Sequence, residues 1–242
     1  MKLQPVAMPR AVGALLSFAA GVIDASTFYA LFGLFVAQVT GSFVLAGVQF
    51  ANLDRVNLVR TLAIPLFFVV GFLTTLAAAS TGEARRALLV SLAAEFVLIG
   101  GFVAVGLGGA PFARPDAPLA LLASFLGVSA MGVQSAMVRL LIPGYPTTNV
   151  MTTNTTTAAV EIAQWWLASR AARRAPQDAE AAHALAAARG RFATVWPVLV
   201  GFLAGTTAGA LAFYYAGFWA PLMALAALAG VIVWAARGDV RG

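Results

Sequence analysis

Six stretches of this chain are apolar for about 20 residues or more: 11–34, 61–80, 87–109, 117–142, 192–214 and 217–236. An α-helix rises about 1.5 Å per residue and bilayer hydrocarbon is about 30 Å thick, so each stretch has the length of one crossing. Backbone in lipid has no water to bond to, and a series of such stretches satisfies it by folding into helices. Composition agrees. Hydrophobic residues make up 61% of the chain and charged residues 10%, against about 45–50% and about 25% in soluble domains. A small soluble enzyme, a nucleic-acid-binding domain and a disordered chain are excluded. The chain has no cysteine and one histidine, His183, so disulfides, thiol chemistry and a histidine-rich zinc site are excluded as well. The predicted class is an all-α integral membrane protein, a polytopic helical bundle.

Two further stretches, 35–51 and 147–168, are too polar to face lipid along their length. The first carries Gln38, Thr40, Gly41, Ser42 and Gln49. The second reads TTNVMTTNTTTAAVEIAQWWLA. Such segments lie against protein or line a wet cavity. Lys2 and Arg10 precede the first apolar run, which is long for a signal segment and contains Asp24, so it reads as a retained first helix. Residues 169–191 form the main polar loop, with five arginines and an Ala-rich centre able to form a short helix.

The net charge of +6 is a topology signal. With six full spans plus two shorter polar or broken elements, twelve basic residues fall on the side of the termini and Arg55, Arg60 and Arg114 on the other. Eight spans give the same ratio, with Arg85, Arg86 and Arg139 as the minority. Either way the positive-inside rule puts both termini and the 169–191 loop in the cytoplasm. The polarity of 147–168 favours six spans.

The two halves resemble each other. Gly21-Val22-Ile23-Asp24-Ala25 precedes Thr40-Gly41-Ser42, much as Gly132-Val133-Gln134-Ser135-Ala136 precedes Thr152-Thr153-Asn154. Pro65 and Gly71-Phe72-Leu73 correspond to Pro197 and Gly201-Phe202-Leu203, and Gly71, Thr75 and Ala79 align with Gly201, Gly205 and Gly209. One membrane domain, 1–242, of two internal repeats is expected, repeat one at 11–109 and repeat two at 117–236. Three spans per repeat would invert the second copy relative to the first, whereas eight full spans would make the copies parallel; both arrangements occur in secondary transporters, with sites near the midplane at the repeat interface. The stripes Gly13-xxx-Ser17-xxx-Gly21 and Gly201-xxx-Gly205-xxx-Gly209 mark close helix packing.

Four charges lie within these segments: Asp24, Glu95, Arg139 and Glu161. An ionised group at mid-membrane costs about 2.5–3.5 kcal/mol on insertion scales, so Asp24 faces the bundle interior. It is a proton, cation or substrate site, or else a polar clasp for a broken helix. Glu95 pairs with a cation or with a polar element, or else reaches headgroup water. Glu161 sits just before Trp165-Trp166, a pair suited to the membrane interface, and Arg139 snorkels from its helix end. The boxes Thr40-Gly41-Ser42 and Thr152-Thr153-Asn154, with Gln134 and Ser135, form the strongest constellation for a cavity lining. Threonines bonding back to their own helix carbonyls are the competing explanation. No catalytic set, cofactor motif or metal-ligand spacing is present, so no enzyme is expected.

At these residues the chain resembles the YoaK-like family of bacterial multi-pass inner-membrane proteins, a domain-of-unknown-function family. The family pattern is a glycine-aspartate motif and a Thr-Gly-Asn box, then a Gly-x-Gln-Asn-Ala motif and a Met-Thr-Gly-Asn box. The likeness covers about 11–236. Ser42 departs from the Asn of the first box, Thr153 from the Gly of the second, and Ser135 from the Asn after Gln134. The resemblance implies a multi-pass inner-membrane protein and supplies no substrate. From the residues, the expected function is a small secondary transporter or permease for a small polar solute, with proton coupling as an option. Its expected partners are the bilayer and that solute, not nucleic acid, and homo-oligomerisation is left open. The alternative is a non-transporting scaffold whose partner surface is the 169–191 loop.

Overall fold

The computed structural model describes Val6, residues 8–51 and residues 58–237. Lys2, Arg55 and Arg241, which enter the charge count, lie outside the described residues, as do the side chains of Gln49 and Arg60. Eight α-helices and no strands occur among the described residues: α1 Arg10–Ala30, α2 Val39–Ala51, α3 Leu58–Thr81, α4 Ala84–Gly109, α5 Pro118–Leu141, α6 Met151–Arg174, α7 Ala179–Ala216 and α8 Leu222–Ala236. Five helices (α1, α3, α4, α5 and α7) are long and apolar enough to cross a membrane, and α8 is a shorter apolar helix. The protein is a helical, multi-pass membrane bundle.

Three boundaries differ from the sequence reading. The first apolar run stops being helical at Ala30, because Phe32 and Gly33 take φ of 56° and 78° and turn the chain. The last run is interrupted by a short 3-10 turn at Gly217–Trp219 and by Pro221, which leaves 15 residues in α8. The polar loop 169–191 is largely helical. Helix α6 continues to Arg174, a four-residue turn follows, and Asp178 caps α7 by accepting from the Glu180 N–H at 2.9 Å. Helix α7 then runs 38 residues, about 57 Å and longer than a bilayer is thick. Alanine's high helix propensity accounts for the hairpin despite its polar composition.

Contacts fix the relative directions of α8 and the five long apolar helices. Ala14, Phe18 and Val22 of α1 meet Gly201, Gly205 and Gly209 of α7 in the same order, so α1 and α7 are parallel. Gly132 faces Phe67 and Val70 while Ala136 faces Gly71, so α5 and α3 are parallel. Leu16 meets Gln134 whereas Thr27 meets Gly127, so α1 and α5 are antiparallel. Gly101 meets Leu126 and Gly109 meets Leu119, so α4 opposes α5. Arg85 donates to the Ala235 carbonyl at 3.0 Å and Phe102 packs on Phe218, so α4 opposes α8. Taken in chain order, α1, α3, α4, α5, α7 and α8 therefore alternate in direction. Helices α2 and α6 each start inside the bundle and leave toward the end from which the chain entered.

That arrangement sorts the charges. Arg10, Arg85, Arg86, Arg139, Arg170, Arg173, Arg174, Arg189, Arg191 and Arg237 lie toward the end holding the start of α1, and Arg114 lies toward the other. Helices α1 and α5 are the central pair, buried along most of their length. Helix α1 packs chiefly on α7 and α8, and α5 chiefly on α3 and α4.

Candidate functional site

Two loops fold back into this bundle from opposite ends. The first, 31–38, follows α1 and leads into α2. The second, 142–150, follows α5 and leads into α6. They are built alike. The helix before each ends with a residue near φ −125°, Leu31 and Ile142, and a left-handed glycine follows two residues later, Gly33 and Gly144. Each glycine lies 111 residues from its counterpart. A left-handed φ is one that glycine adopts without steric cost.

The first loop is held by Asp24. The backbone N–H groups of Val36 and Ala37 donate to one carboxylate oxygen at 2.9 Å each, and Gln38 Nε2 donates to the other at 3.2 Å. Asp24 is 2% exposed, and its acceptors are engaged within the chain. Its partners lie 12 to 14 residues away, out of reach within one helix.

The second loop is held by neutral groups. Ser135 occupies the place of Asp24, 111 residues on, and its hydroxyl accepts from Asn149 Nδ2 at 2.5 Å, just as Asp24 accepts from Gln38. Gln134 Nε2 donates to the Leu16 carbonyl at 2.9 Å and to Thr148 Oγ1 at 2.7 Å. The Ser17 hydroxyl lies 2.8 Å from the carbonyls of both Thr148 and Val198, tying loop, α1 and α7 together. Asn154 Nδ2 donates to the Thr147 carbonyl at 2.5 Å. Four buried oxygens here have no hydrogen-bond partner: Gln134 Oε1, Tyr145 Oη, Thr147 Oγ1 and Asn149 Oδ1.

Asp24 and Ser17, where the two loops touch α1, are seven residues apart on that helix, about 10 Å along its axis. The loops thus reach the middle of the bundle. Thr40 and Thr152 are each the second residue of the helix that follows a loop. Ser42 and Asn154 point inward and are buried, whereas Thr40, Gly41, Thr152 and Thr153 are exposed. Thr156 and Thr157 bond back to the Thr152 and Thr153 carbonyls, so the self-bonding expectation holds for that part of the threonine run and fails for Thr148.

The remaining candidates lie apart from the loops. Glu95 is fully buried on α4 with both carboxyl oxygens unpartnered, and no hydrogen bond links it to Asp24. Glu161 accepts from Arg191 Nε at 2.8 Å, and Arg191 also donates to Gln164 Oε1 at 2.6 Å, which joins α6 to α7. Arg139 lines a groove of about 680 Å³ between α3 and α5, together with Ser135, Thr75 and Phe72. Sequence reasoning took Ser17 only as a packing residue and placed Thr147, Thr148 and Asn149 only within the polar stretch 147–168, and it missed Tyr145. Only the loop's return brings them to the central helices. Among the described residues no three His, Asp or Glu side chains come together as metal ligands.

No curated protein and no solved structure matches the chain. The model of a protein family of unknown function, DUF1275, matches residues 12–234, from the first turn of α1 to the last turn of α8. The chain belongs to that family.

Proposed function

We propose that the protein is a small secondary transporter for a small polar solute, built from two inverted copies of one unit. Each copy contributes three crossings and one re-entrant element, α1 to α4 in the first and α5 to α8 in the second. The observation that carries this reading is the pair of loops that enter the bundle from opposite ends, one onto Asp24 and one onto Ser17 and Gln134, with buried polar groups left over. A broken helix at membrane depth is tolerated where protein or a wet cavity surrounds it, and transporters place their sites at such breaks between inverted repeats. A pure scaffold has no need of polar atoms there, each of which costs about 1–3 kcal/mol when buried unpaired. In this reading Asp24 positions the first loop, and Gln134, Ser135 and Asn149 face the solute. The end carrying ten described arginines is the cytoplasmic side of a bacterial inner membrane.

The two seams between the repeats differ. Glycines close the α1–α7 seam, while the α3–α5 seam opens into the groove at Ser135 and Arg139. Alternation between the seams would carry the site from one side to the other. Native cysteines are absent, so Ala136→Cys gives a single reporter in that groove. A membrane-impermeant maleimide should label it in both right-side-out and inside-out vesicles. Labelling from one side only, under all solute conditions, overturns alternating access.

A further inference from the structure

The second loop leaves four oxygens unpartnered, and three of them sit on alternate residues of one short segment, Tyr145, Thr147 and Asn149. The fourth, Gln134 Oε1, belongs to a side chain already bonded to that segment through Thr148. The Gln134 amide cannot be turned the other way, because its nitrogen is needed by the Leu16 carbonyl; its free atom is therefore an acceptor. Tyr145 Oη lies against Gly13 of α1, one helical turn from Leu16. The segment itself is fastened on both sides, by Ser17 on the Thr148 carbonyl and by Asn154 on the Thr147 carbonyl. Buried oxygens that nothing in the chain satisfies take a partner from outside, an ordered water or an ion; Gln134 Oε1 and Asn149 Oδ1 can only accept, and the Tyr145 and Thr147 hydroxyls can accept as well as donate.

We infer that these oxygens bind a small monovalent cation, an alkali ion or a primary ammonium group. The ligand set consists of amide and hydroxyl oxygens, which suit hard cations. The place that Asp24 fills in the first loop is taken here by neutral Ser135. Without a carboxylate the set lacks the charge that divalent ions draw on, while unwound backbone and neutral oxygens suffice for sodium in transporters. The site deepens the transport reading by naming what its second loop holds. Its test is an equilibrium one that needs no transport, so the two can fail separately.

The detergent-solubilised protein is titrated with sodium, potassium and ammonium chloride against choline chloride at constant ionic strength, following the thermal midpoint. Isothermal calorimetry then gives the affinity. At least one of the three ions should raise the midpoint in a saturable way, and choline should not. Tyr145→Phe and Thr147→Val each remove one unpartnered oxygen at nearly constant shape. In choline they should unfold at or above the wild-type midpoint, because an unpaired buried group has gone. In the favoured cation the affinity should fall at least about tenfold. A response to sodium or potassium marks a coupling ion, and a response to ammonium alone marks the amine of a solute; both support the site. Equal midpoints in all four salts, or variants that bind as tightly as wild type, overturn it and leave ordered water as the occupant.

Discussion

The two re-entrant loops share a backbone design and differ in what holds them. The first closes on a carboxylate with three hydrogen bonds, and no buried side-chain atom of its described residues is left unpartnered. The second closes on amides and hydroxyls and leaves four oxygens over. A carboxylate satisfies several backbone donors at once and fixes a loop firmly. Neutral side chains fix it less completely and leave acceptors for something else. On the reading proposed above, the first loop serves architecture and the second holds the ligand.

The largest effect should come from removing the first loop's anchor. Asp24→Ala leaves the Val36 and Ala37 N–H groups buried without an acceptor and should cost on the order of 3 kcal/mol or more. Loss of a monodisperse peak in detergent, or a collapsed thermal midpoint, would show it; Asp24→Asn, which keeps one oxygen, should lose much less. If Asp24→Ala folded normally and only a functional readout changed, the division of roles between the loops would be reversed.

The helix seams offer a comparison of middle size. A Cβ at Gly205 would overlap the Phe18 backbone, whereas one at Gly71 meets only the Ala136 methyl, 4.0 Å away. Gly205→Ala should therefore destabilise by about 1–3 kcal/mol as overpacking does, and Gly71→Ala should be close to neutral. Equal effects in a thermal-shift comparison would remove the asymmetry between the seams. The smallest change is expected at Glu161→Gln. Its partner Arg191 is half exposed, with a side chain 48% accessible, and such pairs contribute within about 1 kcal/mol. A larger drop in midpoint would mean that the α6–α7 hairpin depends on that pair.

Much of this architecture is legible in the residues. Runs of about 20 apolar residues mark the crossings, and the polarity of 147–168 marks a segment that cannot face lipid. The break after Ala30 is hidden, because Leu31-Phe32-Gly33-Leu34-Phe35-Val36-Ala37 is as apolar as the helix before it. Pro143-Gly144 makes the second break easier to read. Helical structure across 169–191 is masked by charge, since polarity reports solvent and says little about backbone. At the site, Asp24, Gln134 and Ser135 stand out as polar residues in apolar surroundings. The pairings Asp24–Gln38 and Ser135–Asn149, each spanning 14 residues, do not. Neither do the unpartnered oxygens, since being unpartnered belongs to the folded arrangement and to no residue by itself.

On the inverted-repeat reading proposed above, six crossings alternate while α2 and α6 return to the side they came from. Single cysteines at Glu83, in the α3–α4 turn, and at Arg114, in the α4–α5 connection, test it in a chain with no native cysteine. In right-side-out vesicles an impermeant maleimide should label position 114 and spare position 83, with the reverse in inside-out vesicles. Labelling of position 83 and protection of position 114 in right-side-out vesicles would contradict the inverted arrangement and require all eight helices to cross.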